Sequence, residues 1–207
     1  GMGKLGGDEL NYSSDIDVLF VGEGPKQALE RRARSIMDIA RRCFRVDANL
    51  RPEGRDGPLV RSVESYEAYW ERWAEPWEFQ ALLKARPVAG DVTIGERWFD
   101  AAQRWLWARP FDAEALRSLR SMKARAEAEV SRKGLGSREL KRGPGGIRDI
   151  EFTVQLLQLV HGHLDPDLRG ATTLTMLEEM ATAGYIDEGD ATTMASAYRE
   201  LRTVEHR

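Results

Sequence analysis

Apolar and polar positions follow two different periods along the chain, and the change between them predicts two parts. Over residues 16–21 the side chains are mostly apolar, which is typical of a buried strand. Over residues 44–50 apolar and polar side chains alternate, which predicts a half-buried strand. Elsewhere in the first part, apolar residues recur at helical spacing over residues 26–43 and 62–84, with a break near Pro76. The first part of the chain therefore combines strands with helices.

From about residue 92 onward, the apolar positions follow the helical period alone. They predict five helices, over residues 96–107, 112–133, 147–161, 176–183 and 188–206. Short segments rich in glycine or proline separate most of them. We therefore predict an α+β fold with two domains. Residues 1–91 would hold a small mixed sheet with flanking helices, and residues 92–207 would form an all-helical domain.

Composition limits the classes of function. The formal net charge of −3 lacks the basic excess that wrapping nucleic acid requires. The one cysteine, Cys43, excludes an intrachain disulfide and is predicted to fill the core. There is no apolar run of transmembrane length and no secretory signal pattern. We expect a cytoplasmic protein without a nucleic-acid or membrane partner. Because the chain opens inside a predicted turn or strand, we also expect a fragment whose first domain lacks its N-terminal part.

The stretch before the first strand combines features that suit a metal and phosphate site. Asp15 and Asp17 are two residues apart, so in an extended chain both carboxylates project from one face. A divalent cation relieves their mutual repulsion, and Mg²⁺ prefers such oxygen ligands. Lys4 adds a positive charge to a glycine turn whose backbone N–H groups can approach a phosphate. An Asp-x-Asp alone is more often a solvated turn, and it is the combination that predicts a site.

Asp47 is the third candidate carboxylate. If its strand pairs beside the first strand, Asp47 completes a cluster with Asp15 and Asp17. Three carboxylates can hold two Mg²⁺ ions, as in-line nucleotidyl transfer requires. Asp15, Asp17 and Asp47 are therefore candidate metal ligands for Mg²⁺, and the family resemblance described below implies that they are the catalytic residues. The alternative for an aspartate on a strand is a solvent-facing side chain.

Four segments carry a resemblance to one family, and the resemblance covers essentially all 207 residues. The chain is similar to the nucleotidyltransferase domains of the glutamine synthetase adenylyltransferase family, whose members add AMP to a tyrosine of glutamine synthetase and remove it. The resemblance implies the fold of the DNA polymerase β-like nucleotidyltransferase superfamily. The segments are GMGKLGGDELNYSSDIDVLFV, FRVDANLRPEGRDGPLV, WEFQALLKARPVAGD and KRGPGGIRDIEF.

The resemblance also implies roles for individual residues. In the family, the aspartate at the Asp47 position is the third metal ligand, and Arg51 lies close to the site. Lys84 and Arg86 would line the nucleotide site and balance phosphate charge. From their position before Pro87 alone, the same two cations could cap a helix. The predicted nucleotide- and phosphate-binding residues are Gly3, Lys4, Ser14, Arg51, Lys84 and Arg86.

A second glycine-rich motif lies in the helical part. A Gly-Pro-Gly-Gly loop precedes the helix predicted from Ile147, and backbone N–H groups at that helix start can hold an anion. Asp149 and Glu151 near the helix start also suit a purely structural cap. The resemblance implies that this loop and helix close over the active-site face. We assign no chemical step to Asp149, Glu151 or the neighbouring Arg148.

Three classes of function are open. They are nucleotidyl transfer to or from a protein, nucleic-acid polymerisation, and a non-catalytic regulatory module. The acidic balance weakens the second class, and three candidate carboxylates weaken the third. Within the first class, Arg148 and residues 198–207 resemble the family's N-terminal copy, which removes AMP by phosphorolysis and yields ADP. The alternative is the C-terminal copy, which attaches AMP from ATP. Expected partners are glutamine synthetase, ATP or ADP, phosphate and, through the full-length chain, a PII-type regulatory protein.

Overall fold

The computed structural model describes residues 1–12, 14–108, 110–134 and 139–205. The chain divides into two compact units, Gly1–Ala108 and Arg109–Arg207. The first unit contains helices and short parallel strands, which confirms a mixed fold consistent with a nucleotidyltransferase. In the second unit, the elements of the described residues are helices. An entirely helical second domain stays a prediction.

Among the described residues, four short strands form the sheet structure of the first unit. They are β1 (Ile16–Asp17), β2 (Phe20–Val21), β3 (Val46–Asp47) and β4 (Val60–Arg61). β1 pairs with β3 and β2 with β4, both in parallel. The predicted strand over residues 16–21 is therefore two strands, because its halves have different partners. The predicted strand over residues 44–50 is reduced to two residues, since the backbone N–H of Asn49 bonds the Asp47 side chain and turns the chain away.

Five helices lie in the part of the first unit that the structure describes. Ser62 caps the third of them by accepting the N–H of Ser65, and Pro76 begins the fourth, where its missing N–H costs nothing. The third helix ends at Arg72 and the fourth begins at Pro76, which confirms the break predicted there. The helices are α1 (Gly3–Gly6), α2 (Lys26–Ala40), α3 (Val63–Arg72), α4 (Pro76–Leu82) and α5 (Val92–Trp107).

An aromatic cluster joins α3 to α5. Tyr66, Trp70 and Trp98 are buried, with ring centroids 5.4 to 6.0 Å apart in tilted or edge-on pairs. These three aromatic side chains thus belong to the core of the first unit. Through this cluster α5 belongs to the first compact unit, whereas the predicted boundary after residue 91 assigned it to the second domain. The domain boundary itself stays a prediction.

In the second unit, the last three helices pack around an apolar cluster that includes Ile147, Met180 and Tyr198. Gln158 is buried within it, and its side-chain amide donates to the carbonyls of Leu168 and Gly170, which fixes the connection to the next helix. The helices are α6 (Ala113–Arg132), α7 (Ile147–His161), α8 (Thr173–Thr182) and α9 (Glu188–Glu205), with a 3₁₀ turn at Pro166–Leu168.

Two details of the first unit differ from the sequence predictions. α2 buries Ala33 and Met37, but Ile36 and Ile39, which belong to the predicted apolar face, are exposed. Cys43 is also exposed, so its predicted role as core filler is wrong. None of the described helices is both long and apolar enough to cross a membrane.

Candidate functional site

The glycine turn of the first unit packs directly on the first strand. The N–H of Met2 donates to the carbonyl of Asp17 at 2.9 Å, so α1 begins beside the predicted metal ligand. Gly3 has a φ of +52°, and a Cβ built on it would lie 2.6 Å from Oδ2 of Asp17. A side chain at this position would be strained and would collide with the carboxylate. Glycine here keeps open the space next to the Asp17 side chain.

Residues 84–86 brace this turn from the other side. A Cβ on Gly6 would lie 1.7 Å from the carbonyl oxygen of Lys84, so the two backbones are in contact. The N–H of Arg86 donates to the carbonyl of Gly1 at 2.9 Å. The Arg86 guanidinium donates to the carbonyls of Leu5 and Gly6, each at 3.1 Å, at the end of α1. The predicted phosphate ligand Arg86 therefore shapes the turn, and its role toward phosphate stays a prediction.

Asp17 and Asp47 lie beside each other in the sheet. The parallel register pairs Ile16 with Val46 and Asp17 with Asp47. Paired residues of neighbouring strands project to the same face, so both carboxylates leave the sheet on one side. Both residues are partly exposed. Oδ1 of Asp47 accepts the N–H of Asn49 at 2.6 Å, which fixes this side chain. The sequence analysis made the proximity of these aspartates depend on the pairing of their two strands, and that pairing is present.

Asp15 is engaged differently. Its Oδ1 lies 2.5 Å from Nε of Arg45, and both side chains are largely exposed. Arg45 stands opposite Asp15 one step outside the strand pair, as Asp47 stands opposite Asp17 within it. Among the described residues, no group of three or more His, Cys, Asp or Glu side chains is gathered so that it could hold a metal. The three-carboxylate set therefore stays a prediction.

Two further predicted cations are held by protein groups. Nζ of Lys84 forms an ion pair with Glu9, and both side chains are less than one tenth exposed. The guanidinium of Arg51 donates to carbonyls within its own loop, which holds the loop after β3 in shape. Its acceptors are the carbonyls of Ala48 at 2.7 Å, Arg55 at 3.1 Å and Gly57 at 3.2 Å. Phosphate binding by Lys84 and Arg51 stays a prediction.

The remaining predicted residues lie at the turn before β1. Lys4 is part of α1 and half-buried. The hydroxyl of Ser14 donates to Oδ1 of Asn11 at 2.6 Å and accepts the N–H of Asn11 at 3.4 Å. This closed pair of bonds stabilises the turn that leads into the strand. The structure thus brings Gly3, Lys4, Lys84 and Arg86 together around α1, while Ser14 and Arg51 fix the flanking loops.

Comparison with known proteins identifies the family. A family model described as glutamate-ammonia ligase adenylyltransferase matches residues 1–42 and 33–101. Curated relatives named bifunctional glutamine synthetase adenylyltransferase/adenylyl-removing enzyme match the whole chain, with 49% identity in Streptomyces avermitilis, 47% in Streptomyces coelicolor and 49% in Mycobacterium tuberculosis strain H37Rv. The chain belongs to the glutamine synthetase adenylyltransferase family. It covers 22%, 22% and 21% of these relatives, about a fifth of their length.

A second family model, described as GlnD PII-uridylyltransferase, matches residues 120–207 and includes the Gly-Pro-Gly-Gly motif. In this motif, the backbone N–H groups at the start of α7 are used within the protein. The N–H of Ile147 donates to the carbonyl of Leu140 at 2.8 Å, and that of Arg148 to the carbonyl of Lys141 at 2.9 Å. The N–H of Gly145 donates to Oδ2 of Asp149 at 2.7 Å. These bonds favour the structural cap over an anion site.

The acids of the same motif join neighbouring helices. Nζ of Lys123 on α6 lies 2.6 Å from Oδ1 of Asp149, and it also pairs with Glu127. Burial alone lowers the pKa of Lys123, but the bonds to Asp149 and Glu127 outweigh it and the pKa is raised. Glu151 accepts the hydroxyl of Tyr198 on α9 at 3.1 Å. In this family member, Asp149 and Glu151 therefore hold α6, α7 and α9 together.

Sequence reasoning missed Glu9 and Arg45, the partners of Lys84 and Asp15. Glu9 lies 75 residues from Lys84, so no local spacing could have paired them. Arg45 precedes Asp47 by two residues, as Asp15 precedes Asp17. Once the strand register is known, this equal spacing sets Arg45 opposite Asp15. The equal spacing was thus present in the sequence, but it could be interpreted only once the pairing of β1 with β3 was known.

Proposed function

We propose that this chain carries a nucleotidyltransferase site that removes AMP from the adenylylated tyrosine of glutamine synthetase by phosphorolysis, which yields ADP. The observation that carries the proposal is the strand register, which sets Asp17 beside Asp47. Gly3 in the glycine turn leaves the space next to the Asp17 side chain open. The relatives support it because their printed name combines adenylyltransferase and adenylyl-removing enzyme. The chain spans about a fifth of the length of those relatives. That this segment carries the activity is therefore part of the proposal.

The residues present suit a magnesium site in part. Asp17 and Asp47 offer carboxylate oxygens on one face, and Gly3 leaves the space beside Asp17 unfilled. Asp15 would join them once its ion pair with Arg45 opens. We propose that these three aspartates hold Mg²⁺, two ions in the full site. When bound, divalent cations supply electrostatic stabilisation of the attacking and leaving oxygens in an in-line displacement.

The chain's own groups would position the reactants. A phosphate oxygen attacks the phosphorus of the tyrosine-bound AMP, the bond from phosphorus to the tyrosine oxygen breaks, and that oxygen takes up a proton. Lys4 on α1 and the guanidinium of Arg86, which is about half exposed, would offset the charge of the two phosphates. Lys84, paired with Glu9, would hold the glycine turn in shape. Arg51, bonded to loop carbonyls, would hold the loop after β3 in shape.

Further parts of the proposal rest on the family alone. Arg148 and residues 198–207 favour the deadenylylating direction, and the bifunctional name of the relatives keeps transfer of AMP from ATP as the second candidate. The partners would be glutamine synthetase, ATP or ADP, phosphate and, through the full-length protein, a PII-type regulator. We also propose a cytoplasmic location and an all-helical second domain.

The test is a two-directional assay with matched variants. Adenylylated glutamine synthetase, Mg²⁺ and phosphate are supplied and ADP release is followed, while unmodified glutamine synthetase with ATP tests AMP incorporation. Asp47→Asn should lower the active direction by about a hundred- to a thousandfold, the several kcal/mol that metal-assisted charge stabilisation contributes. Asp38→Asn is the control, because Asp38 is an exposed aspartate on α2 paired with Arg41.

Three outcomes decide the matter. ADP release that requires phosphate supports the deadenylylating copy, and AMP incorporation alone supports the adenylylating copy. If Asp47→Asn stays folded by circular dichroism and as active as Asp38→Asn, Asp47 does not belong to the site. If neither activity is measured with the folded chain, the catalytic proposal for this segment is wrong.

A further inference from the structure

The ion pair between Arg45 and Asp15 lies one step from the paired aspartates. Ile16 and Val46 are register partners, and Asp17 and Asp47 follow them. Arg45 and Asp15 precede them on the same two segments, with Nε and Oδ1 2.5 Å apart. Residues two apart along a strand share a face, so this ion pair projects to the same side as Asp17 and Asp47. A cation of the protein therefore stands beside the proposed cation site.

This arrangement makes the guanidinium and a metal ion competitors for one carboxylate. A divalent ion on Asp17 and Asp47 would add positive charge next to Arg45, and like charges at such separations repel. Asp15 can serve the metal fully only if its contact with Arg45 opens. In the absence of metal, the same contact neutralises one member of a row of acids that would otherwise repel one another.

The exposure of the pair shows that opening it is easy. The side chains of Arg45 and Asp15 are 75% and 49% exposed, whereas those of Lys84 and Glu9 are 9% and 8% exposed. Exposed ion pairs contribute little because water screens them and replaces their bonds. The Lys84 pair, by contrast, is a fixed brace of the glycine turn. Unlike the buried pair of Lys84 and Glu9, the exposed pair of Arg45 and Asp15 suits a reversible exchange.

We propose that Arg45 is a positioning residue. Its guanidinium holds the Asp15 carboxylate while the site is free of metal and releases it when a cation binds. This inference rests on the proposed metal site. It adds that Arg45 regulates metal binding by competing with the ion for Asp15. It predicts that Arg45 weakens metal binding, by about two- to fivefold, the range that corresponds to an exposed ion pair.

The experiment measures Mn²⁺ affinity of the full chain by titration calorimetry, so it needs no turnover. Arg45→Met should bind Mn²⁺ about two- to fivefold more tightly than the wild type. Arg41→Met is the matched control, because it removes the same charge from an exposed pair with Asp38 and leaves the contact between Arg45 and Asp15 in place, so it should not change the affinity. Arg45→Lys, which keeps a cation, should lie closer to the wild type than Arg45→Met. Unchanged or weaker binding by a folded Arg45→Met overturns the competition.

Two aspartate variants separate this inference from the proposed site. In an Asp15→Asn background, Arg45→Met should have a clearly smaller effect, because the contested carboxylate is gone and only the repulsion between Arg45 and the ion remains. A full Arg45 effect in that background would overturn a role through Asp15. Asp17→Asn should lose Mn²⁺ binding. If it binds as the wild type does, or if the wild type binds no Mn²⁺, the metal site itself is wrong and both proposals fail. If only the Arg45 effect is missing, the site stands and the competitor is rejected.

Discussion

Two glycine-rich motifs of this chain contain the same kinds of residue and use them in opposite ways. Around α1, Gly3 leaves space at the Asp17 carboxylate, and Asp47 lies beside it in the sheet. Before α7, the Gly-Pro-Gly-Gly loop gives its N–H groups to carbonyls of its own turn and to Asp149. By our proposal the first motif offers a face to a ligand, whereas the second joins helices. Glycines next to acidic residues therefore do not by themselves specify chemistry. The groups that bond the acidic side chains decide their role.

The two motifs also differ in how their cations are used. Lys84 is buried against Glu9 and braces the first motif from residues far along the chain. Lys123 is partly exposed and joins α6 to the acids near α7. Their contributions can be measured separately because all six tryptophans, residues 70, 73, 77, 98, 105 and 107, lie in the first unit. Tryptophan fluorescence therefore follows the first unit, and circular dichroism follows the helices of both.

The largest effect is expected from breaking the buried ion pair. Lys84→Met removes one partner and leaves the Glu9 carboxylate buried without this cation, which should cost about 3–5 kcal/mol of unfolding free energy. Urea unfolding followed by tryptophan fluorescence measures it. Adding Glu9→Gln removes the buried charge as well and should recover much of the loss. A cost below about 1 kcal/mol in the single variant would show that the pair is not a brace.

A smaller effect is expected from the second motif. Asp149→Ala removes the bonds to Gly145 and Lys123, which should cost about 1–2 kcal/mol. Circular dichroism should report this loss while tryptophan fluorescence changes little. Glu178→Ala, at an exposed position on α8, is the control.

The same variant can break the comparison between the motifs. If Asp149 only caps and joins helices, the catalytic rate per folded molecule should be that of the wild type. A loss of rate as large as that of Asp47→Asn, in a folded protein, would place Asp149 in the chemistry.

The smallest effect concerns a buried acid that serves structure within the first unit. Burial raises the pKa of Glu78, whose Oε1 accepts the Tyr69 hydroxyl at 2.9 Å and the N–H of Glu75 at 3.2 Å. A raised folded-state pKa gives stability below the unfolded-state value, about 4.3, and loses it as pH rises through the folded-state value. The unfolding free energy of the wild type, relative to Glu78→Gln, should therefore fall as the pH rises above the unfolded-state value. Parallel pH profiles of the two proteins would contradict this.

The sequence by itself determined the kinds of element and most of their positions. The helix predicted over residues 147–161 is α7, Ile147–His161, and the break at Pro76 separates α3 from α4. Such features depend on local periodicity and on caps, which neighbouring residues specify. The motif around Asp15 and Asp17 also indicated the family that the relatives then identified.

The tertiary structure alone decided which groups meet. It divided the strand at residues 16–21 between two partners, set Asp17 opposite Asp47, and placed Arg45 against Asp15. It also buried Lys84 against a glutamate 75 residues away. The physical reason is that strand register and side-chain pairing depend on distances in space, and a one-dimensional pattern fixes only which face a side chain leaves.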